Sequence, residues 1–402
     1  MEKNPWREEF PQIAGKNVVY LDSAASSLKP LSVIAAVDHY YRDLSVNIHR
    51  GMYASSQEAT ELYEEARTKV ACFIGAEETE IVFLRGATAA LNLVAQSFGS
   101  AHVKAGDEIV VSELEHHSSV LPWQAVAKKT GAKLVFVPLD EQKRIGVDAF
   151  RSVLGPRTKV VALTYVSNVM GYVTPLPEII ALAHAAGAVV VADAAQAIQH
   201  LPIDVKKLDV DFLAFSGHKM LGPTGIGVLY GKSALLEAME PVEFGGEMID
   251  EVGKDASTWK DAPYKFEAGT MPIASAIGLA AAVDRLQAIG IAAIEDHVVR
   301  LRRYAYTQLK KLEGIVIYNP TADTGVIAFN VDGVHAHDAA TFFAEKNVCI
   351  RAGHHCAQLL IKALGIEACL RASFYLYNSY ADCDRLVETA KEAVRFFQGV
   401  GY

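Results

Sequence analysis

The 402-residue chain reads as an α/β protein built on a mostly parallel sheet in a large domain, with a smaller α+β domain beside it. Short apolar runs recur through the middle of the chain at residues 109–111, 134–137, 160–163, 188–191, 212–215 and 226–229. Between them lie stretches such as 176–186 with apolar residues at helical spacing. Strands covered on both faces read as continuous apolar runs, and helices between successive strands let those strands run parallel. A third observation is what two runs deliver. One ends in Asp193, with Gln196 three residues on, and another ends in Ser216-Gly217-His218-Lys219. The carboxyl ends of strands host ligands in such sheets, so these two segments should meet at one sheet edge.

The later elements differ. Residues 274–293 are rich in Ala, Ile and Leu and predict one continuous helix, followed by alternating basic and apolar residues over 296–312. Beyond them strands are expected at 326–331, 348–351 and 370–374, and an amphipathic helix at 384–397. These place a large domain at 20–280 and a small one at 1–19 and 281–402.

Composition narrows the function classes. The chain has 51% hydrophobic and 21% charged residues, with 38 Lys plus Arg against 47 Asp plus Glu. A net charge of −9 without a basic tail argues against nucleic-acid binding. No apolar stretch reaches the roughly 20 residues of a membrane span, and the polar start Met1–Glu9 has no signal-peptide core. The five cysteines form no CxxC pair, and their odd number suggests reduced thiols and a cytoplasmic protein. Cys349 reads as core, and Cys72 and Cys369 also have apolar neighbours. Cys356 stands apart, between His355 and Ala357 in a glycine-containing segment.

Two nucleotide motifs fail on spacing. Gly231-Lys232-Ser233 lacks a glycine five residues before Gly231, and Gly225-Ile226-Gly227 precedes an apolar run instead of following one. A lone lysine beside a glycine turn is usually a surface residue. Lys219, set with Asp193, Gln196, Ser216 and His218, instead suggests a pyridoxal phosphate site, with the amine as Schiff-base former and the acid holding the pyridinium nitrogen protonated. The cofactor also needs an anion site. Arg85-Gly86-Ala87-Thr88 opens a helical pattern, and such a start offers backbone N–H groups, a hydroxyl and the positive helix end.

Together with Arg351-Ala352-Gly353-His354-His355-Cys356-Ala357, these segments resemble the class V aminotransferase family of fold-type I pyridoxal phosphate enzymes, and within it the SufS-like group II cysteine desulfurases. The resemblance runs from Leu21-Asp22-Ser23-Ala24-Ala25 to Arg371-Ala372-Ser373. It implies that Lys219 binds the cofactor, that Thr88, Ser216 and His218 hold its phosphate, and that His116 stacks on its ring with His117 in support. Gln196 and Asn168 would meet its phenolic oxygen, and Asn168 also the substrate carboxylate. Arg371 would grip that carboxylate, with Arg351 close by. Thr270, His49 and Arg50 would line the partner's site, which implies a homodimer with shared active sites.

Cys356 would take sulfur from L-cysteine as a persulfide, leaving L-alanine for the substrate and sulfur for iron-sulfur cluster assembly. Two departures stand out. Ala87 replaces a frequent threonine, which removes a hydroxyl but leaves a backbone donor. Leu359 stands where proline is common, which leaves the loop exit less rigid. The segment His335-Ala336-His337-Asp338 resembles that of desulfurases paired with a zinc-containing SufU-type acceptor, with His337 as a transient zinc ligand. The alternatives are a selenocysteine lyase, another class V lyase or epimerase, and a non-enzymatic metal-binding module using His335, His337, His354, His355 and Cys356.

Overall fold

Residues 4–399 are described by the computed structural model. The first strand, β1 (Val19–Tyr20), pairs with a segment near the other end of the chain. The next seven form the principal sheet: β2 (Ile81–Leu84), β3 (Glu108–Ser112), β4 (Lys133–Val137), β5 (Thr158–Thr164), β6 (Val189–Asp193), β7 (Phe212–Ser216) and β8 (Gly227–Gly231). Their order is β2-β8-β7-β6-β5-β3-β4, and β8 alone runs against its neighbours. All six expected runs lie in this sheet. β2 escapes a pattern reading because it is four residues long and closed in by Glu78–Glu80 and Arg85.

The strands are apolar throughout because both faces are covered. Val110, Val161, Leu163, Leu213 and Phe215 join one core, and Ile109, Val111, Val160, Ala162, Phe212 and Ala214 join the other. In register, Thr164 pairs with Asp193 and Asp193 with Ala214, so β6 and β7 release Asp193 and Ser216 at the same edge. At this edge β8 passes very close to the loop before helix Ala87–Val94. A Cβ on Gly227 would lie 2.3 Å from the Cα of Gly86, and Gly86 itself has φ +155°. Only glycine at both positions permits that approach.

A hairpin, β9 (Ile249–Val252) with β10 (Ser257–Trp259), precedes the C-terminal elements. There β11 (Ile315–Ile317), β12 (Val326–Val331), β14 (Arg351–Gly353) and β15 (Cys369–Ser373) form an antiparallel sheet in the order β11-β12-β15-β14. β13 (Val348–Cys349) pairs with β1 instead. The strand expected at 348–351 is therefore two strands in two sheets, parted at Ile350. The helix expected at 274–293 is also two, Ile273–Ile289 and Ile291–Leu309, bent by 75° where Gly290 adopts φ +88°. Among the described residues no single helix is long and apolar enough to cross a membrane. The last helix, Tyr380–Gly399, is longer than expected.

Candidate active site

Lys219 ends a short turn, Gly217–Lys219, that follows β7. Burial lowers its amine from the ordinary lysine value, opposed by the charges of Asp193 and Cys356 and helped by Arg371. Asp193, at the end of β6, is buried, and its Oδ1 accepts from the N–H of Ala195 at 2.9 Å. Burial raises its carboxyl, against the pull of Lys219. Gln196 is fixed in place: its Nε2 donates to the Ala24 carbonyl at 2.6 Å, and its Oε1 accepts from Gln199 at 3.0 Å.

A cleft of about 650 Å³ opens beside this lysine turn, lined by Gly86, Thr88, Ser216, His218 and Thr270 among others. The Ala87 N–H donates to Ser216 Oγ at 2.8 Å, so the backbone donor expected to serve an anion at Ala87 is already taken. The N–H groups of Thr88 and Ala89 remain without intrahelical acceptors, as at any helix start. Thr88 Oγ1 lies 2.7 Å from Ser118 Oγ, which in turn lies 3.0 Å from His116 Nδ1. The same ring nitrogen accepts from the Ser118 N–H, capping the helix His117–Thr130. Burial, then the Lys219 charge, lowers His116 to about 4, so near neutral pH the ring is uncharged with its proton on Nε2. His218 is likewise lowered to about 4 by burial, Lys219 and Lys29.

The cysteine loop packs against the start of the helix His117–Thr130. His355 and Cys356 both adopt left-handed backbone, φ +52° and +56°, which costs on the order of 1–3 kcal/mol for each residue. Neighbouring hydrogen bonds hold it there. Asn168 Nδ2 donates to the His355 carbonyl at 2.7 Å, His117 N–H to the Cys356 carbonyl at 2.7 Å, and His355 Nε2 meets the Cys369 carbonyl at 2.9 Å. At the exit, Gln358 N–H donates to His117 Nε2 at 3.1 Å. The exit next to Leu359 is thus pinned by a histidine, and the missing proline does not leave it loose. Cys356 is exposed. Cys369 and Cys383 are buried and Cys349 half-buried, whereas Cys72, against expectation, lies on the outer side of helix Ala54–Ile74.

Arg371 is buried, with Nη1 on the Asn168 carbonyl at 3.0 Å and Nη2 on Asp22 at 3.3 Å. Arg351 is half-exposed and makes a two-pronged pair with the same carboxylate, the shortest contact being 2.8 Å. His49 and Arg50 are not brought to Lys219 within one chain. They pair with Glu64 and Glu247 at 3.0 Å each, at a second opening that shares Thr270 with the main cleft. A buried network ties these openings together: Arg67 grips Glu267 through two bonds of 2.7 and 2.9 Å, and Glu267 also accepts from the Phe83 N–H.

Sequence reasoning missed Ser118, Asp22 and Lys29. Lys29 donates to the His218 carbonyl at 2.9 Å, and burial lowers it to about 8. Asp22 and Lys29 act on residues far along the chain, and Ser118, although it caps its own helix with His116, reaches Thr88 thirty residues away. Among the described residues no three His, Cys, Asp or Glu side chains are placed to hold a metal, and His355 is turned inward, so the metal-binding reading finds no support.

The residues present fit pyridoxal phosphate: a buried acid and a lysine of lowered basicity act on each other, a neutral histidine lies under the charge of the same lysine, and that histidine is joined through Ser118 to a hydroxyl-lined helix start. The profile of the class-V aminotransferases matches residues 19–386. A probable cysteine desulfurase of Halalkalibacterium halodurans is 51% identical over 96% of this chain and 95% of its own. Among solved structures, the cysteine desulfurase CsdA of Escherichia coli superposes with a TM-score of 0.93 at 43% identity, covering 98% of this chain and 99% of its own. A cysteine desulfurase of Thermococcus onnurineus gives 0.94 at 40% identity, with the same coverage. On its sequence, its fold and the contents of its cleft, the chain belongs to the class-V aminotransferase family, in the cysteine desulfurase branch.

Proposed function

We propose that the protein is a pyridoxal phosphate-dependent cysteine desulfurase that converts L-cysteine to L-alanine and leaves the sulfur on Cys356 as a persulfide. The observation that carries this reading is the exposed Cys356, held in a constrained loop whose His355 and Cys356 carbonyls are bound by Asn168 and His117. Its thiolate forms the new S–S bond, and the C–S bond of the substrate breaks, so that cysteine plus thiol gives alanine plus persulfide. When bound, the cofactor supplies an electron sink for the substrate Cα.

The chain's own residues do the rest. Lys219 would hold the cofactor through Nζ, and Asp193 would keep a proton on the ring nitrogen. His116 would cover the ring and present its Nε2 proton, while Thr88, Ser216, His218 and the helix start would receive the phosphate. Asn168 and Gln196 would lie beside the ring oxygen. Arg371, whose buried Nε has no partner, would take the substrate carboxylate. In the test, purified protein is yellow and releases alanine and persulfide sulfur from L-cysteine, and Lys219→Ala loses both colour and turnover. Full activity in that variant would sink the assignment. L-selenocysteine assayed alongside measures the preference between sulfur and selenium.

The wider setting follows from the same reading. Residues 20–280 form the cofactor domain, and 1–19 with 281–402 the smaller one. Asn4 and Arg7, bonded to Leu376 and Asp382, support that division. A homodimer with shared sites is supported by exposed Leu31, Tyr41, Met52 and Tyr53 flanking His49 and Arg50. Five unpaired thiols support a reducing, cytoplasmic setting, and iron-sulfur cluster assembly is the expected destination of the sulfur.

The acceptor is a zinc-containing SufU-type protein, with His337 as transient zinc ligand. His337 is exposed and stacked on His335 at 5.1 Å, and its Nε2 lies 3.9 Å from where a Cβ on Gly353 would stand, near the loop of Cys356. Such an acceptor, zinc-loaded, should stimulate wild type and not His337→Ala. Equal stimulation would exclude the role.

A further inference from the structure

We propose that Asp22 sets substrate selectivity: by holding Arg351 it leaves one guanidinium, that of Arg371 with its unpartnered Nε edge, for an incoming carboxylate, and so favours amino acids that carry a single acidic group. The proposal rests on the reading of Arg371 as the carboxylate ligand.

The geometry begins with the second sheet. Arg351 on β14 and Arg371 on β15 are direct cross-strand partners. Like charges placed so are destabilising unless something lies between them. Asp22 fills that place. It follows β1, bridges to Ser373 in parallel register, and so brings its carboxylate to the two arginines from a different part of the chain. Its Oδ2 accepts from Arg351 at 3.1 Å (Nε) and 2.8 Å (Nη2), and its Oδ1 from Arg351 Nε at 3.1 Å and Arg371 Nη2 at 3.3 Å. The carboxylate is thus spent chiefly on Arg351.

Arg371 has a different balance. Its Nη1 is on the Asn168 carbonyl, its contact with Asp22 is the longest of the set, and its Nε is buried with no partner. An unpaired buried donor is costly, so this edge of the guanidinium is set to receive an acceptor. Two guanidiniums and one carboxylate leave one net positive charge, which matches one incoming carboxylate. Arg351, by contrast, is half-exposed and begins the strand that leads into the loop of Cys356, where the substrate sulfur must lie. Released from Asp22, it could serve a second anionic group there. Asp22 works against that outcome, which is selectivity by withholding a partner.

The experiment compares L-alanine, with one carboxylate, and L-aspartate, with a second acidic group near the sulfur position. Both are measured with the holoenzyme as inhibitors of L-cysteine turnover and by the shift they cause in the cofactor absorbance. Asp22→Asn should move the affinity ratio toward L-aspartate by roughly tenfold or more, as expected for one charge changed in a partly screened site. Asp22→Glu, which keeps the charge, should hold the wild-type ratio, and adding Arg351→Ala to Asp22→Asn should restore it. A ratio unchanged within about twofold in Asp22→Asn would overturn the proposal, as would a gain that persists without Arg351. Arg371→Lys separates the two levels. If it weakens L-alanine binding while Asp22→Asn changes nothing, only the role of Asp22 fails; if L-alanine binding is untouched, the carboxylate reading fails and the proposal with it.

Discussion

The backbone N–H of His117 donates to the carbonyl of Cys356 at 2.7 Å, and the ring of the same histidine accepts from the Gln358 N–H at 3.1 Å. One residue at the start of the helix His117–Thr130 therefore grips the cysteine loop on both sides of the nucleophile. Burial, with the charge of His354, lowers the basicity of this ring, which keeps Nε2 free to accept. His117→Ala removes that acceptor and keeps the backbone donor. A lost hydrogen bond is worth about 0.5–1.5 kcal/mol, so persulfide formation should slow by up to roughly tenfold. Colour and cofactor affinity should not change. Rapid-quench measurement of persulfide alongside an absorbance spectrum checks both, and an unchanged rate would remove His117 from the account.

Ser118 links His116, the proposed cover of the cofactor ring, to Thr88, a proposed phosphate ligand, lying between His116 Nδ1 and Thr88 Oγ1. In Ser118→Ala the two lose their common partner. Cofactor affinity, read by equilibrium titration of the apoenzyme, should fall by roughly three- to tenfold, in proportion to one or two lost hydrogen bonds. Unaltered affinity would show that the bridge is incidental.

Much of this site was legible because its chemistry is local. Lys219, Asp193 and Gln196 each end or follow an apolar run, and a strand end is where a parallel sheet presents side chains to a ligand. What was not legible depends on contacts between distant segments. The sequence of Asp22 gives no hint that it will lie between two arginines more than half the chain away, and the same is true of Lys29 beneath the His218 carbonyl. The strand at 348–351 read as one because nothing in Val348-Cys349-Ile350-Arg351 marks where one sheet gives way to another. Gly290 interrupts the apolar run within 274–293. A single glycine in an apolar helical pattern is often tolerated, but here its positive φ ends one helix and starts the next.

Glu115 predicts a pH dependence of stability. It is buried beside the site, its Oε1 takes the Ser112 hydroxyl at 2.6 Å, and its Oε2 has no partner. Burial raises its carboxyl from 4.5 to about 8. The folded protein thus keeps a proton that the unfolded chain gives up. The stability this contributes is fully present below pH 4.5 and is lost as pH rises toward 8. Glu115→Gln, which cannot ionise, should become progressively more stable relative to wild type across that window. Thermal unfolding of both proteins over the same buffers checks it, and parallel curves would contradict the assignment.

The central claim is that sulfur leaves the substrate for Cys356. The most direct measurement is peptide mass spectrometry after a single turnover with sulfur-labelled L-cysteine and rapid alkylation, in wild type and in Cys356→Ser. The account predicts one added sulfur atom on the Cys356 peptide of wild type. It predicts none anywhere in Cys356→Ser, which still binds its cofactor and stays yellow. Label on Cys349 or Cys369, or full alanine yield with Cys356 unmodified, would contradict it.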